Sequence, residues 1–437
     1  MNRVVALAFG VWFVGGAVGS AQDVRSTADA LQLAALQREA LAADARSREV
    51  ELLQAQTDLR LRNLDVERLP ALSALGQGQY QSDAPAAPFA LLNGQPAFAA
   101  PKLTADASVR LDQHLYDPTL EPRRALARAD LAESEARVRS TLFTLRQEVN
   151  EAFFTAALLQ EQIGALDASI AELEARLRET DVRVREGAAL GVDSAAVEAT
   201  LLRYRQQDDE LRAGRSAAIA RLARLVGHSI RGDAAAAPPD LTAAVAAARA
   251  SLDQSRARPE YKQFDRTRDR LARQQDLAAA GDRPQLSAFG RVGYGRPGLN
   301  FVSDRAETYG LAGVQVQWKA WTWGASARER EALSLQQSIV AAEETAFTSA
   351  IRRGVETDLA TIDRLQSTLA SDDRIVALRE TVERVARLRL QEGATTASEY
   401  LDRQTERLTA EFDRARHRVE LAQAGARLLT TLGLEVP

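Results

Sequence analysis

The sequence predicts a mainly α chain with a small β part, built of long antiparallel coiled-coil helices plus four transmembrane β-strands. Three observations carry this expectation. Apolar residues keep heptad spacing over long stretches, short segments alternate with period two, and the whole plan occurs twice.

In chain order, Met1, Asn2 and Arg3 lead into an apolar run from Val4 to Val18, followed by Gly19, Ser20 and Ala21. A basic start, a short hydrophobic region and small residues before a cut make a secretory signal peptide, so residues 1–21 are set aside from the fold. The run is shorter than the roughly 20 apolar residues of a spanning helix. No later stretch reaches that length, so a mature chain that meets a bilayer again must do so as strands. Cysteine is absent, which excludes disulfides, thiolate metal sites and a lipid-bearing cysteine. The net charge is −4, with Arg interleaved among Asp and Glu. That pattern reads as solvated helix faces and argues against nucleic acid as a partner.

The duplication sets the organisation. Leu69-Pro-Ala-Leu-Ser-Ala-Leu-Gly-Gln-Gly-Gln-Tyr80 aligns with Arg283-Pro-Gln-Leu-Ser-Ala-Phe-Gly-Arg-Val-Gly-Tyr294, and Arg185-Glu186-Gly187-Ala188 aligns with Gln391-Glu392-Gly393-Ala394. The offsets are similar but unequal, as expected of two copies whose loops differ in length. The halves are placed at 22–240 and 241–437, linked by the soft stretch Ala234-Ala-Ala-Ala-Pro-Pro-Asp240. Each half reads helix, two strands, long helix, long helix.

Within the first half, every odd position from Leu103 to Leu111 is apolar and every even one from Thr104 to Asp112 is polar, the signature of a strand with two unlike faces. In the second half Ala312, Val314, Val316 and Trp318 face one way while Gln315, Gln317 and Lys319 face the other. The helices follow. Leu145, Val149, Ala152, Ala156, Leu159, Ile163, Leu166, Ile170, Leu173 and Leu177 step by four and three without a break, a coiled-coil seam. One helix from about Thr119 to Arg185 spans about 100 Å at 1.5 Å per residue. The second copy repeats it from about Ala325 to Gln391, with Val355, Leu359, Ile362 and Leu369 on one face.

Four strands cannot close a barrel. In hydrocarbon an open edge leaves unpaired backbone groups, so the edges must pair with other chains. Outer membrane barrels have at least about eight strands, so a dimer is the geometric minimum and a trimer gives twelve. Tyr80, Tyr116, Tyr294, Tyr309, Trp318, Trp321 and Trp323 gather near the strand ends. They are candidates for an aromatic girdle at the membrane surface; alternation alone equally allows them to close the core of a soluble sheet. The stretches 82–102 and 296–307 are the expected external loops.

These features resemble the outer membrane efflux protein family, which is TolC-like. The residues that carry the resemblance are Arg258-Pro259-Glu260, similar to the family's opening of a repeat; Pro284-Gln-Leu-Ser287 at the start of a strand; and the doubled turns Glu186-Gly187 and Glu392-Gly393. The likeness covers essentially the whole mature chain. It implies a homotrimer with a twelve-strand barrel in the cell outer membrane, continued into the periplasm by an α-helical tunnel. It further implies a passive exit duct of a tripartite efflux or type I secretion system, with an inner-membrane pump and a periplasmic adaptor, or membrane fusion, protein as partners. Gly187 and Gly393 correspond to the family's adaptor-docking tips. Glu399 and Asp402, six and nine residues after the second tip glycine, correspond to the acidic ring at the tunnel entrance, and Asp193 is the first copy's counterpart. Asp193 also suits an N-cap. Some family members lock the entrance with an Arg two residues after the second tip glycine and a Tyr three before it; Thr395 and Leu390 stand there, so the resemblance does not extend to that lock.

Catalytic chemistry has no candidates. His114, His228 and His417 are scattered without metal-ligand spacing, and the Gly-x-Gly runs at Gly76–Gly78 and Gly293–Gly295 lie inside strands instead of opening helices. No enzyme activity, cofactor or metal is expected. The competing reading is a soluble periplasmic coiled-coil scaffold or adaptor, in which the strands form a small soluble sheet.

Overall fold

The computed structural model describes residues 30–84, 100–250, 256–299 and 305–437. The expected signal peptide lies outside the described residues, as do most of the first expected external loop (85–99) and the centre of the second (300–304).

The chain runs α1 (Leu33–Ala43), α2 (Ser47–Val66), β1 (Ala71–Tyr80), β2 (Leu103–Tyr116), α3 (Leu120–Phe143), α4 (Leu145–Arg185) and α5 (Gly191–Val226). It continues with α6 (Thr242–Ala250), α7 (Pro259–Ala280), β3 (Gln285–Arg296), β4 (Glu307–Gln317), α8 (Ala325–Gln391) and α9 (Ala397–Leu432). Of the described helices, none is long and apolar enough to cross a membrane.

The strands form one antiparallel sheet in the order β1-β2-β3-β4, with β1 and β4 as open edges. The helices leading into and out of it keep the same order: α2 packs on α3, α3 on α7, and α7 on α8. Beyond the sheet the long helices pair α5 with α4, α4 with α9, and α9 with α8. Every layer therefore ends in an open edge. Those edges are apolar at heptad spacing. Leu52, Leu59 and Val66 on α2 are 69%, 59% and 59% exposed, and Ile375, Leu378, Val382 and Val385 line the outer side of α8.

The heptad seam forms the core. Val149, Ala152, Phe153 and Ala156 of α4 join Leu36 of α1, Leu222 of α5, Ile362 and Leu365 of α8 and Leu428 of α9 in one cluster. A second cluster toward the far ends of the helices contains Leu166, Leu173, Val197, Tyr400 and Leu408. Arg258, from the Arg-Pro-Glu segment, lies over the rings of Phe143 and Phe347 at 4.9 and 5.4 Å, pairs with Glu260 and donates to the Thr431 carbonyl at 3.3 Å. It ties the start of α7 to α3, α8 and α9.

Two expectations are corrected. The helix expected from Thr119 to Arg185 is interrupted at Thr144, where Thr144 N–H bonds Thr141 O and Gln147 N–H bonds Thr144 O, both one residue short of α-helical spacing. The interruption falls where the packing partner changes from α7 to α5 and α9, which heptad counting does not register. In the second half α8 crosses the same level as one helix of 67 residues. Trp318 falls one residue beyond β4, because the chain turns there to put its indole N–H on the Asp282 carbonyl at 2.9 Å.

Candidate functional site

The sheet inverts the usual arrangement. Register places Leu72, Val109, Val292 and Val316 on one face. These are 73%, 47%, 68% and 66% exposed. The opposite face carries Asp106, Ser108, Arg110, Asp112, Arg291 and Gln315. There Arg291 donates to Ser108 Oγ at 2.9 Å and to Asp106 Oδ1 at 2.5 Å, and Arg110 pairs with Asp112 at 2.9 Å. Charges on that face are thus matched in pairs while the apolar side is left uncovered. An antiparallel sheet with one face in water packs its apolar face on a core; this one presents it outward, as a strand facing lipid does.

The aromatic residues fall at two levels. Tyr116, Trp318, Trp321 and Trp323 sit where strands meet helices, and Tyr80 and Tyr294 lie toward the far end, all more than half exposed. Tyr309 departs from the expected girdle. It lies on the polar face, donates its hydroxyl to Asp106 and stacks under the Arg291 guanidinium at 5.7 Å. Its ring occupies room left by Gly293, where a Cβ would come within 2.6 Å of it. Period-two parity assigns Tyr309 to this face, opposite Val314 and Val316, so the signal was in the sequence.

At the other end of the molecule the two helical hairpins close with one geometry. Gly187 has φ 73° and Gly393 φ 72°. Ala188 N–H bonds Arg183 O at 2.7 Å and Ala394 N–H bonds Arg389 O at 2.8 Å. This is the helix-ending turn in which a left-handed residue lets the next amide reach back to an unsatisfied carbonyl, and glycine takes that backbone without a Cβ penalty. A Cβ at either glycine would meet nothing within 4 Å, so the tips stand free.

The acidic candidates all follow the tips. Asp193 accepts from Leu190 N–H at 3.2 Å, and Glu399 accepts from the Thr395 hydroxyl at 2.5 Å while its own N–H donates to Thr396 Oγ1 at 3.2 Å. Both occupy the third position of their helices, where a carboxylate also meets the positive end of the helix dipole. Asp402 is exposed one turn further along α9. Thr395 and Leu390 line a crevice of about 290 Å³ between the tips, together with Arg176, Arg183, Asp193 and Gly393.

Behind the tips lies a polar network that the sequence reading missed. Tyr400 is fully buried, and its hydroxyl donates to Glu172 of α4 at 2.9 Å and to Glu383 of α8 at 3.4 Å. Arg387 reaches both carboxylates, at 2.5 and 2.6 Å, and Arg407 Nε lies 2.8 Å from Glu383. Burial, with Glu172 next to it, pushes the Tyr400 phenol well above its ordinary range. Burial draws the Arg407 guanidinium down, but Glu411 and Glu383 outweigh it and raise the group. The available signal was a Tyr and a Gln, Tyr400 and Gln404, at seam positions of α9 that otherwise take apolar residues.

No protein-family model matches the chain, and no curated protein sequence matches it significantly. Solved structures do match. The chain has the fold of CusC, described with transmembrane channel formation, at 16% identity and TM-score 0.70 over 94% of each chain. It is similar to the outer membrane protein VceC of Vibrio cholerae at 14% identity and TM-score 0.66, covering 92% of this chain and 96% of that one. The MtrE outer membrane channel of Neisseria gonorrhoeae, in its open state, matches at 19% identity and TM-score 0.66, covering 92% and 89%. At these identities the likeness establishes the fold.

Proposed function

We propose that the chain is one subunit of an outer membrane channel of the TolC-like kind, three copies of which share a twelve-strand barrel and an α-helical periplasmic tunnel. The observation that carries the reading is the inverted sheet, whose two open edges stand in line with the two open apolar edges of the helical layers. A sheet with lipid on its apolar side cannot leave those edges unpaired. A second copy, offering β1 to β4 and α2 to α8, satisfies backbone and apolar stripe together.

The duct is passive. Substrates reach it from an inner-membrane pump of an efflux or type I secretion system, and a periplasmic adaptor docks at the tips bearing Gly187 and Gly393. Glu399 and Asp402, repeated around the axis with Asp193 nearby, place a ring of carboxylates at the entrance, which favours cations. Tyr116 and Trp318 at the helical end of the sheet and Tyr80 and Tyr294 at the far end contact headgroups of the outer membrane. The halves 22–240 and 241–437 are copies of one duplicated plan, and residues 1–21 serve export.

Protein purified in detergent and reconstituted in planar bilayers tests the proposal. A trimer-sized native mass and discrete cation-selective conductance are expected, with selectivity falling in a Glu399→Gln, Asp402→Asn double variant. A water-soluble monomer that never conducts overturns it in favour of a periplasmic scaffold.

A further inference from the structure

The turn between β4 and α8 is held in an unusual shape. Trp323 is the one described non-glycine residue with a positive φ, 54°, and Gly324 follows at 73°. A left-handed backbone is strained at a bulky residue and persists where something fixes it. Arg328 does so by donating to the Trp323 carbonyl at 3.0 Å. The result is display. Trp321 and Trp323 are 74% and 80% exposed, their rings set edge to face at 5.8 Å.

The opposite edge of the sheet has a matching feature. Where α2 passes into β1, Val66 and Leu69 are 59% and 60% exposed. Hydrogen bonds tie that junction down: Leu69 N–H bonds Val66 O at 2.9 Å, and Gln113 Nε2 donates to the Arg68 carbonyl at 2.7 Å. β1 begins and β4 ends at the helical end of the sheet, so an antiparallel joint between β4 of one copy and β1 of the next brings the two junctions side by side.

Such a joint needs a register device. A hairpin fixes register through its turn, but strands from separate chains have none. The outer face of β1 offers little side chain to set it, with Ala74, Gly76 and Gly78 in succession, and strands of that kind slip. A one-residue slip would turn the apolar face of the barrel inward.

We propose that Trp321 and Trp323 clasp Val66 and Leu69 of the next copy of this chain, fixing strand register at the seam between subunits. The inference rests on the ring reading above, and it leaves Tyr116 and Trp318 as the membrane belt on the helical side.

The cysteine-free chain allows a direct test. A Leu69→Cys, Trp321→Cys double variant is oxidised in native membranes and run on denaturing gels, beside each single variant. Within one copy the two positions lie at opposite edges of four strands, about 14 Å apart or more at about 4.8 Å per strand. A disulfide needs Cα atoms within about 7 Å, so any bridge joins two copies. The expected result is a dimer and higher bridged species in the double variant alone. A separate Trp321→Ala, Trp323→Ala variant is expected to keep its helical circular dichroism while its oligomer dissociates at a lower temperature. A trimer-sized native mass with no bridged species and an unchanged dissociation temperature overturns the clasp, leaves the ring intact and returns the indoles to lipid headgroups. A monomeric native mass in detergent overturns the ring reading, and the clasp with it.

Discussion

The helical bundle and the sheet obey opposite burial rules within one chain. Leu166, Leu173, Ile362 and Leu365 on the helices are at most 1% exposed, whereas Val292, Val314 and Val316 on the sheet are 68%, 65% and 66% exposed. Both sets are branched aliphatic side chains. What differs is the medium each surface is built for, and the polar face decides it. Paired Asp106–Arg291 and Arg110–Asp112 occupy the opposite face of the sheet, so its apolar side is uncovered in the single chain.

Substitutions break or sharpen the contrast, and the largest effect belongs to the bundle. Phe153 is fully buried, edge to face with Phe154 at 5.3 Å. Phe153→Ala is expected to lower stability by about 3–5 kcal/mol in thermal or urea unfolding followed by helical circular dichroism. Val292→Ala on the outer face should leave that same transition in place.

Next comes the sheet itself. Val109→Arg in mid-strand is expected to cost about 2–4 kcal/mol in refolding from urea into lipid vesicles, with helical unfolding unchanged. In a soluble sheet the same exposed change would cost almost nothing, so equal refolding of variant and parent would erase the distinction.

The polar network is a third case, a buried region that is not apolar. Tyr400→Phe removes the donor shared by Glu172 and Glu383, and about 1–3 kcal/mol of stability should go with it. Gly187→Ala and Gly393→Ala force a side chain into left-handed backbone at a free-standing turn, for about 1–2 kcal/mol each. Equal costs at the two positions would confirm that the tips share one geometry.

The smallest effect is on pH dependence. Asp358 is 4% exposed, and its carboxyl is held above the ordinary 3.8 by burial, against the pull of Arg427. The neutral form favours the folded state, so this contribution is complete below the unfolded value and is lost as pH rises through the raised one. Urea midpoints for Asp358→Asn should therefore fall less steeply than the parent's as pH climbs from about 4.

Much of the fold was legible because two periods are easy to separate. The seam from Leu145 to Leu177, the limits of α8 and the paired glycine turns all follow from spacing, and the strands lie within a few residues of their expected places. Spacing is silent on what a face touches. Alternation from Leu103 to Asp112 is the same whichever side is covered, so it does not tell a lipid-facing strand from a soluble one. It also misses a change of partner along an unbroken pattern, hence the surprise at Thr144. At the candidate site the tip glycines were legible as local backbone chemistry, and so was a capping role for Asp193, which stands at the third helical position with Leu190 at the N-cap; the matching role of Glu399 was not. The Tyr400 network was not, since it joins α8 and α9 to Glu172 of α4, 228 residues before Tyr400.

The uninterrupted α8 has a mechanical meaning. It starts beside the displayed tryptophans and ends at a tip, a single rod of about 100 Å at 1.5 Å per residue. A sideways displacement of about 5 Å at one end tilts such a rod by only about 3° at the other. The α3–α4 path has a pivot at Thr144 partway along. Of the two routes from tip to strand, the one to β4 is a single helix and the one to β2 is divided, so a load applied at the tips meets an unbroken hydrogen-bond ladder only on the β4 side.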